Sequence, residues 1–241
     1  MIDWLRRAPR EAPTLEVAGQ TLPLVLRRTA SARRMTLRLA PDGSEVRLTM
    51  PRWGHSADGL EFARSKADWL AAQLTRLPRP VELRDGAALR FLGEETILCH
   101  DPARPRRVRF ADGQLQVGGP AEALERRLVR WFEGEARRLF AADLAHYCAR
   151  AERPVPRLML SRAQRRWGSC ARDGTVRINW RLVMAPEEVR RSVVAHEVAH
   201  LVHFDHSPGF HAMLAQLFEG DIRAANRWLK TEGRSLYQPF G

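Results

Sequence analysis

Cysteine is scarce in this sequence, and Cys99, Cys148 and Cys170 form no Cys-x-x-Cys pair. An odd, scattered set argues against a disulfide framework and against a thiolate zinc site, and it fits a reducing compartment. Long apolar runs are missing as well: no stretch reaches the ~18–20 residues that a membrane helix needs. The opening Met1-Ile2-Asp3-Trp4-Leu5-Arg6-Arg7 lacks the apolar middle of a secretory signal, so a soluble cytoplasmic protein is expected. Lysine is nearly absent, with only Lys66 and Lys230. Arginine carries the positive charge instead, and 40 basic against 28 acidic residues leave a net +12. That surplus favours anionic partners, nucleic acid among them, but a surplus spread along the chain is a weaker signal than a clustered patch. Arg27, Arg28, Arg33, Arg34 and Arg38 come nearest to a cluster. They also read as the solvated face of a sheet. With 44% apolar and 28% charged residues the composition is ordinary, which excludes disordered and collagen-like classes.

A chain of 241 residues holds one large domain or two small ones. The first half reads as short strands. Met35, Leu37 and Leu39 alternate, Pro41-Asp42-Gly43-Ser44 turns the chain, and Val46, Leu48 and Met50 alternate again, which predicts a hairpin. Asp85-Gly86 within Val81 to Leu89, and Asp112-Gly113 between Val108 and Val117, predict two more. A helix is expected from Ser56, a candidate cap, to about Leu77, with Trp69 beside its apolar stripe as a core residue. At Gly118-Gly119-Pro120 the strand pattern stops and a long helical pattern starts, running to about Ala151 with Gly134 as its weak point. The expected division is therefore a β-rich module over 1–118 and a helix-rich module over 119–241, α+β as a whole.

The segment that carries chemistry is His196-Glu197-Val198-Ala199-His200. This His-Glu-x-x-His pattern has meaning only on a helix. Pro186 opens one, Glu187 and Glu188 load its first turn, and Val189, Val193, Val194, Leu201 and Val202 give it apolar flanks. On such a helix the two imidazoles lie only ~40° apart around the axis and about 6 Å apart along it, close enough to share an ion. Glu197 falls within ~60° of His200. A catalytic zinc takes three protein ligands and keeps a fourth position for water. His206 is the best third ligand, because Ser207-Pro208 behind it reads as a helix cap and first residue. Asp205, His203 and Glu219 compete for that place, with Asp205 better suited to orienting an imidazole.

These residues resemble the YgjP-like family of zinc metallopeptidases, which is related to the SprT-like and WLM peptidase groups. The resemblance runs through Arg166-Trp167-Gly168-Ser169-Cys170, Ile178-Asn179-Trp180-Arg181-Leu182-Val183, Ala185-Pro186, His196 to Leu201, His206-Ser207-Pro208 with Phe210, and Trp228-Leu229. Asp205 stands where the family often has Asn, and His211 where an aromatic residue is common. The spacing to His206 is also similar to the metzincin pattern, but His203 occupies the place of that pattern's turn glycine. The resemblance implies a zincin-like domain in which His196, His200 and His206 bind Zn2+ and Glu197 is the general base. Its relatives' work on DNA-bound proteins adds to the interest of the basic charge.

That assignment implies peptide hydrolysis: zinc acidifies its water, Glu197 takes the proton, and the leaving amine receives it. Hydrolysis of a non-peptide amide is the alternative within the same chemistry, and a DNA-associated protein with a structural zinc is the alternative outside it. Tyr147, Arg165, Arg166, His211 and Tyr237 are open candidates for steadying an oxyanion. A hairpin is expected ahead of the metal helix, with Leu158 and Leu160 on one strand, Asp173-Gly174 at its turn, and Val176, Ile178 and Trp180 on the other. If the second strand has a free edge, an extended peptide or protein segment would pair with it. Asn179 and Trp180 are the candidate substrate contacts there, although core packing is the commoner use of such a tryptophan.

Overall fold

A computed structural model describes residues 13–75, 77 and 81–240. The opening segment read for a leader lies outside the described residues. The chain divides into two compact units, the first ending at Pro78 and the second running from Arg79 to Phe240. Gly118-Gly119-Pro120 therefore marks a passage from strand to helix inside the second unit.

In the first unit, β1 (Thr14–Val17) and β2 (Gln20–Thr29) join through Ala18 and Gly19, both at positive φ. The expected hairpin is present as β3 (Thr36–Leu39) and β4 (Val46–Pro51), and the sheet order is β1-β2-β4-β3 with β2 parallel to β4. Val46, Leu48 and Met50 alternate inward at 0% exposure, as period-2 patterning requires. The expected long helix is two, α1 (Ser56–Arg64) and α2 (Ala67–Leu74), parted at Ser65–Lys66. Ser56 does not cap: it is already helical, and its Oγ accepts a hydrogen bond from Arg28 Nη2 at 2.7 Å. Trp69 is 46% exposed and not a core residue, since Ala63 and Leu70 supply the helical side of the core.

The second unit contains two further sheets. One has the order β5-β6-β8-β7, built from β5 (Ala88–Phe91), β6 (Glu94–Asp101), β7 (Arg109–Ala111) and β8 (Gln114–Gly118). Asp112-Gly113 makes its expected turn with both residues at positive φ. Asp85-Gly86 also turns the chain, with Gly86 at positive φ and the Ala87 amide donating to the Arg84 carbonyl at 3.0 Å, but it forms no hairpin: residues 81–87 are a loop before β5, and the β5–β6 turn is Leu92-Gly93. After a 3₁₀ turn at Ala121–Ala123, α3 runs unbroken from Leu124 to Arg150, through Gly134. Leu124, Leu128, Phe132, Ala136, Phe140 and Leu144 recur every fourth residue and are all buried, which lays one stripe along the core.

The other sheet has the order β10-β11-β9, from β9 (Leu158–Ser161), β10 (Gly168–Cys170) and β11 (Val176–Asn179). Here the expected pairing is corrected. β9 and β11 run parallel and so cannot form a hairpin; the strand that turns back through Asp173-Gly174 is β10. β11 is the central strand with both edges occupied, and β9 and β10 are the outer strands. A 3₁₀ turn at Trp180–Met184 leads into α4 (Glu187–Ala199), followed by α5 (Pro208–Leu217), α6 (Ile222–Thr231) and a closing 3₁₀ turn at Gly233–Tyr237.

Candidate metal centre

α4 starts as its sequence directs. Pro186 occupies the cap position, Glu187 and Glu188 fill the first turn, and His200 ends the helix. The chain then folds back tightly, with the His203 amide bonded to the Ala199 carbonyl at 3.0 Å. Ser207 caps α5 through Phe210 N, and Pro208 is its first helical residue. These two stops fix the length of the bend and bring His206 back to the end of α4.

The three imidazoles converge. His200 Nε2 lies 3.1 Å and His206 Nε2 3.4 Å from His196 Nε2. Two nitrogens held about 2.0–2.1 Å from one tetrahedral zinc stand about 3.3 Å apart, so the spacing fits a shared ion. His200 Nδ1 faces the His203 carbonyl at 2.8 Å. As donor to that oxygen, Nδ1 leaves Nε2 with its lone pair toward the common point. Burial, with the neighbouring His200, His206 and His211, lowers the His196 pKa to about 4, so its ring is neutral as a ligand's must be. Phe210, fully buried, touches all three rings: it stacks on His200 at 4.6 Å and meets His196 and His206 edge-on at 4.9 and 4.8 Å between centroids.

Glu197 is only 4% exposed, and its Oε2 has no hydrogen-bond partner. Burial pushes its carboxyl up to about 7, against the opposing pull of Arg166 and the Cys170 backbone N–H. Gly168 makes room for it: a Cβ there would lie 2.7 Å from Glu197 Cδ, inside contact distance. The edge strand β10 therefore packs against the acid. Burial, and the charges of Glu197 and Asp173, push the Cys170 thiol up, which keeps it protonated and unreactive.

Other expected residues are placed elsewhere. Asp205 accepts from the Ser207 amide at 3.3 Å, and the orienting role on His200 belongs to the His203 carbonyl. The His203 ring rests against Gly209. Glu219 is held by His146, Tyr147 and Arg150 at 2.9, 3.1 and 2.6 Å, so it is not a third ligand. Asn179 and Trp180, at 0% and 1% exposure, face inward. Asn179 Nδ2 donates to the Ala163 carbonyl and Tyr237 Oη, and Trp180 packs on Phe132 and Phe240. Neither offers surface to a substrate. Of the oxyanion candidates, Tyr147 and Tyr237 are engaged in these contacts, and Arg166 is the one whose charge acts on Glu197. Gly168 and Phe210 stood in the sequence as parts of a resemblance, with no local signal for what they do.

Three imidazoles facing one point, with a buried acid next to the first of them in the chain, match the donor set of metal-dependent hydrolases. The chain belongs to the YgjP-like family, metallopeptidase domain, whose family model matches residues 33–232. No curated protein and no solved structure matches the chain.

Proposed function

We propose that this metallopeptidase is a zinc enzyme with a zincin-like catalytic domain, in which His196, His200 and His206 are the ligands and Glu197 is the general base. One observation carries the reading. The unpartnered Oε2 belongs to a buried glutamate that lines the same cavity as His196, one of three converging imidazoles. A buried carboxylate without a partner is a poor structural element, and its best explanation is a proton to accept. Zinc in this site supplies Lewis-acid chemistry, polarising a carbonyl and acidifying water. Glu197 takes the attacking water's proton at Oε2 and returns it to the leaving amine nitrogen. Burial raises this carboxyl in the metal-free protein, which makes it a stronger proton acceptor than an ordinary glutamate.

Gly168 and the Cys170 amide hold the carboxylate, and the His203 carbonyl holds the tautomer of His200. The outer edge of β10, beside Glu197, is the surface on which an extended peptide would lie. The first unit is then an accessory to this domain. The test is Glu197→Gln: turnover should fall by about 10²–10⁴-fold while metal content is unchanged, measured by peptide cleavage and elemental analysis. Retained turnover would remove Glu197 from its role.

A further inference from the structure

Beside Glu197 and His196 lies a cavity of about 230 Å³. Its walls are Val193, one turn before His196 on α4, Ile222 and Leu229 on α6, and Trp167 just before β10. It is smaller than the ~300–1,000 Å³ of pockets that enclose a whole small molecule, so it suits one side chain of a larger ligand. Trp167 is a fixed wall. Its ring packs 5.7 Å from that of Tyr237, and its Cζ2 would lie 2.8 Å from a Cβ at position 233, where glycine leaves the space it fills. Five polar residues join the lining: Asn226, exposed on α6, Arg166, exposed next to Trp167, Ser192, whose hydroxyl already donates to the Val189 carbonyl at 2.8 Å, and His196 and Glu197. Arg166 would attract an acidic side chain, but the Glu197 carboxyl lines the same space and opposes one, and Trp167, Val193, Ile222 and Leu229 give the cavity an apolar side.

We propose that this cavity takes one apolar, aliphatic side chain of the substrate, from a residue adjoining the bond that is cut, and that Asn226 and Leu229 set its size limit. The inference rests on the peptidase reading above. Its position explains the commitment: Glu197, which serves the reacting bond, is itself part of the lining, so the side chain it receives belongs to a neighbour of that bond.

A cleavage profile on denatured proteome peptides tests it, with wild type compared against Asn226→Phe and Leu229→Ala. Wild type should favour Leu, Ile or Met at one position next to the cut. Asn226→Phe narrows the cavity from an exposed site and should shift the Leu-to-Ala preference by ~10-fold toward Ala, and Leu229→Ala should extend the preference toward Phe. Binding gives a second readout. Zinc-loaded Glu197→Gln protein should hold a labelled Leu-containing peptide ~10-fold more tightly than its Ala twin, and adding Asn226→Phe should erase the difference. Cleavage with a flat profile, or one indifferent to both substitutions, overturns the cavity assignment and leaves the peptidase reading intact. A preference for Asp or Glu overturns it in favour of Arg166. No cleavage of any peptide by wild type overturns the peptidase reading, and this inference with it.

Discussion

At the start of α4, Arg190 meets Asp143 through a 2.8 Å bond, and Arg191 donates to Tyr147 Oη at 3.1 Å and lies 3.6 Å from Glu219. At its other end, Glu197 has an oxygen with no partner and two histidines turn their nitrogens toward each other. Both stretches bury charged or polar groups on one helix of thirteen residues. The first answers almost every charge and leaves a single Arg190 nitrogen, Nη1, unpaired. The second leaves its polar groups facing one another. The difference separates a stretch that holds the helix in place from one that the proposed function assigns to a ligand and a proton.

That contrast can be broken from either side. The largest stability effect belongs to the first stretch. Asp143→Ala leaves the Arg190 charge, which is 3% exposed, with only the exposed Glu187 at 3.8 Å, and should cost about 3–5 kcal/mol in urea unfolding. Glu197→Gln should carry no such penalty in the metal-free protein, although its position is equally buried. Equal losses from the two substitutions would erase the distinction.

Gly168→Ala sharpens it from the other side. The new Cβ would displace the carboxylate, and a shift of ~1 Å should lower turnover by about 10²-fold while zinc stays bound. Unchanged turnover would mean that the acid's placement against β10 is unimportant.

The smallest effect is a pH dependence of the metal-free protein. Burial raises Glu197 from its ordinary 4.5 to about 7, so folding favours its protonated form. This contribution is complete below pH 4.5 and is lost as pH rises through about 7. Relative to wild type, Glu197→Gln should therefore gain roughly 1–3 kcal/mol in unfolding free energy between pH 5 and 8. His196 acts in the opposite sense. Its lowered value places its loss where pH falls from 6.5 through about 4, and both proteins share that loss. A difference between them that stays flat with pH would contradict the burial of a titrating acid.

Much of this site was legible because its signals are local. The two histidines and the acid follow from helical spacing, the start of α4 from Pro186 and its two glutamates, and the return of His206 from a serine–proline cap. Contacts between distant segments were not legible. Nothing around Gly168 announces that a carboxylate from α4 occupies its missing side chain, and Phe210 reads as one more apolar residue until the fold packs three imidazoles around it. The same limit explains the misread sheet. Alternation in Leu158–Leu160 and Val176–Ile178 identifies strands but not their partners, and the short β10 with no long apolar run was passed over as the returning strand. Trp69 shows the reverse error: its position beside an apolar stripe placed it in the core, and the fold leaves it half exposed.

The central claim is that three imidazoles share one ion, and zinc titration of the metal-free wild type against His206→Ala tests it most directly. Wild type should bind one equivalent, and His206→Ala should bind at least ~100-fold more weakly, with α4 still folded. One equivalent bound by His206→Ala with undiminished affinity would contradict the convergence of residues 196, 200 and 206 on a common metal.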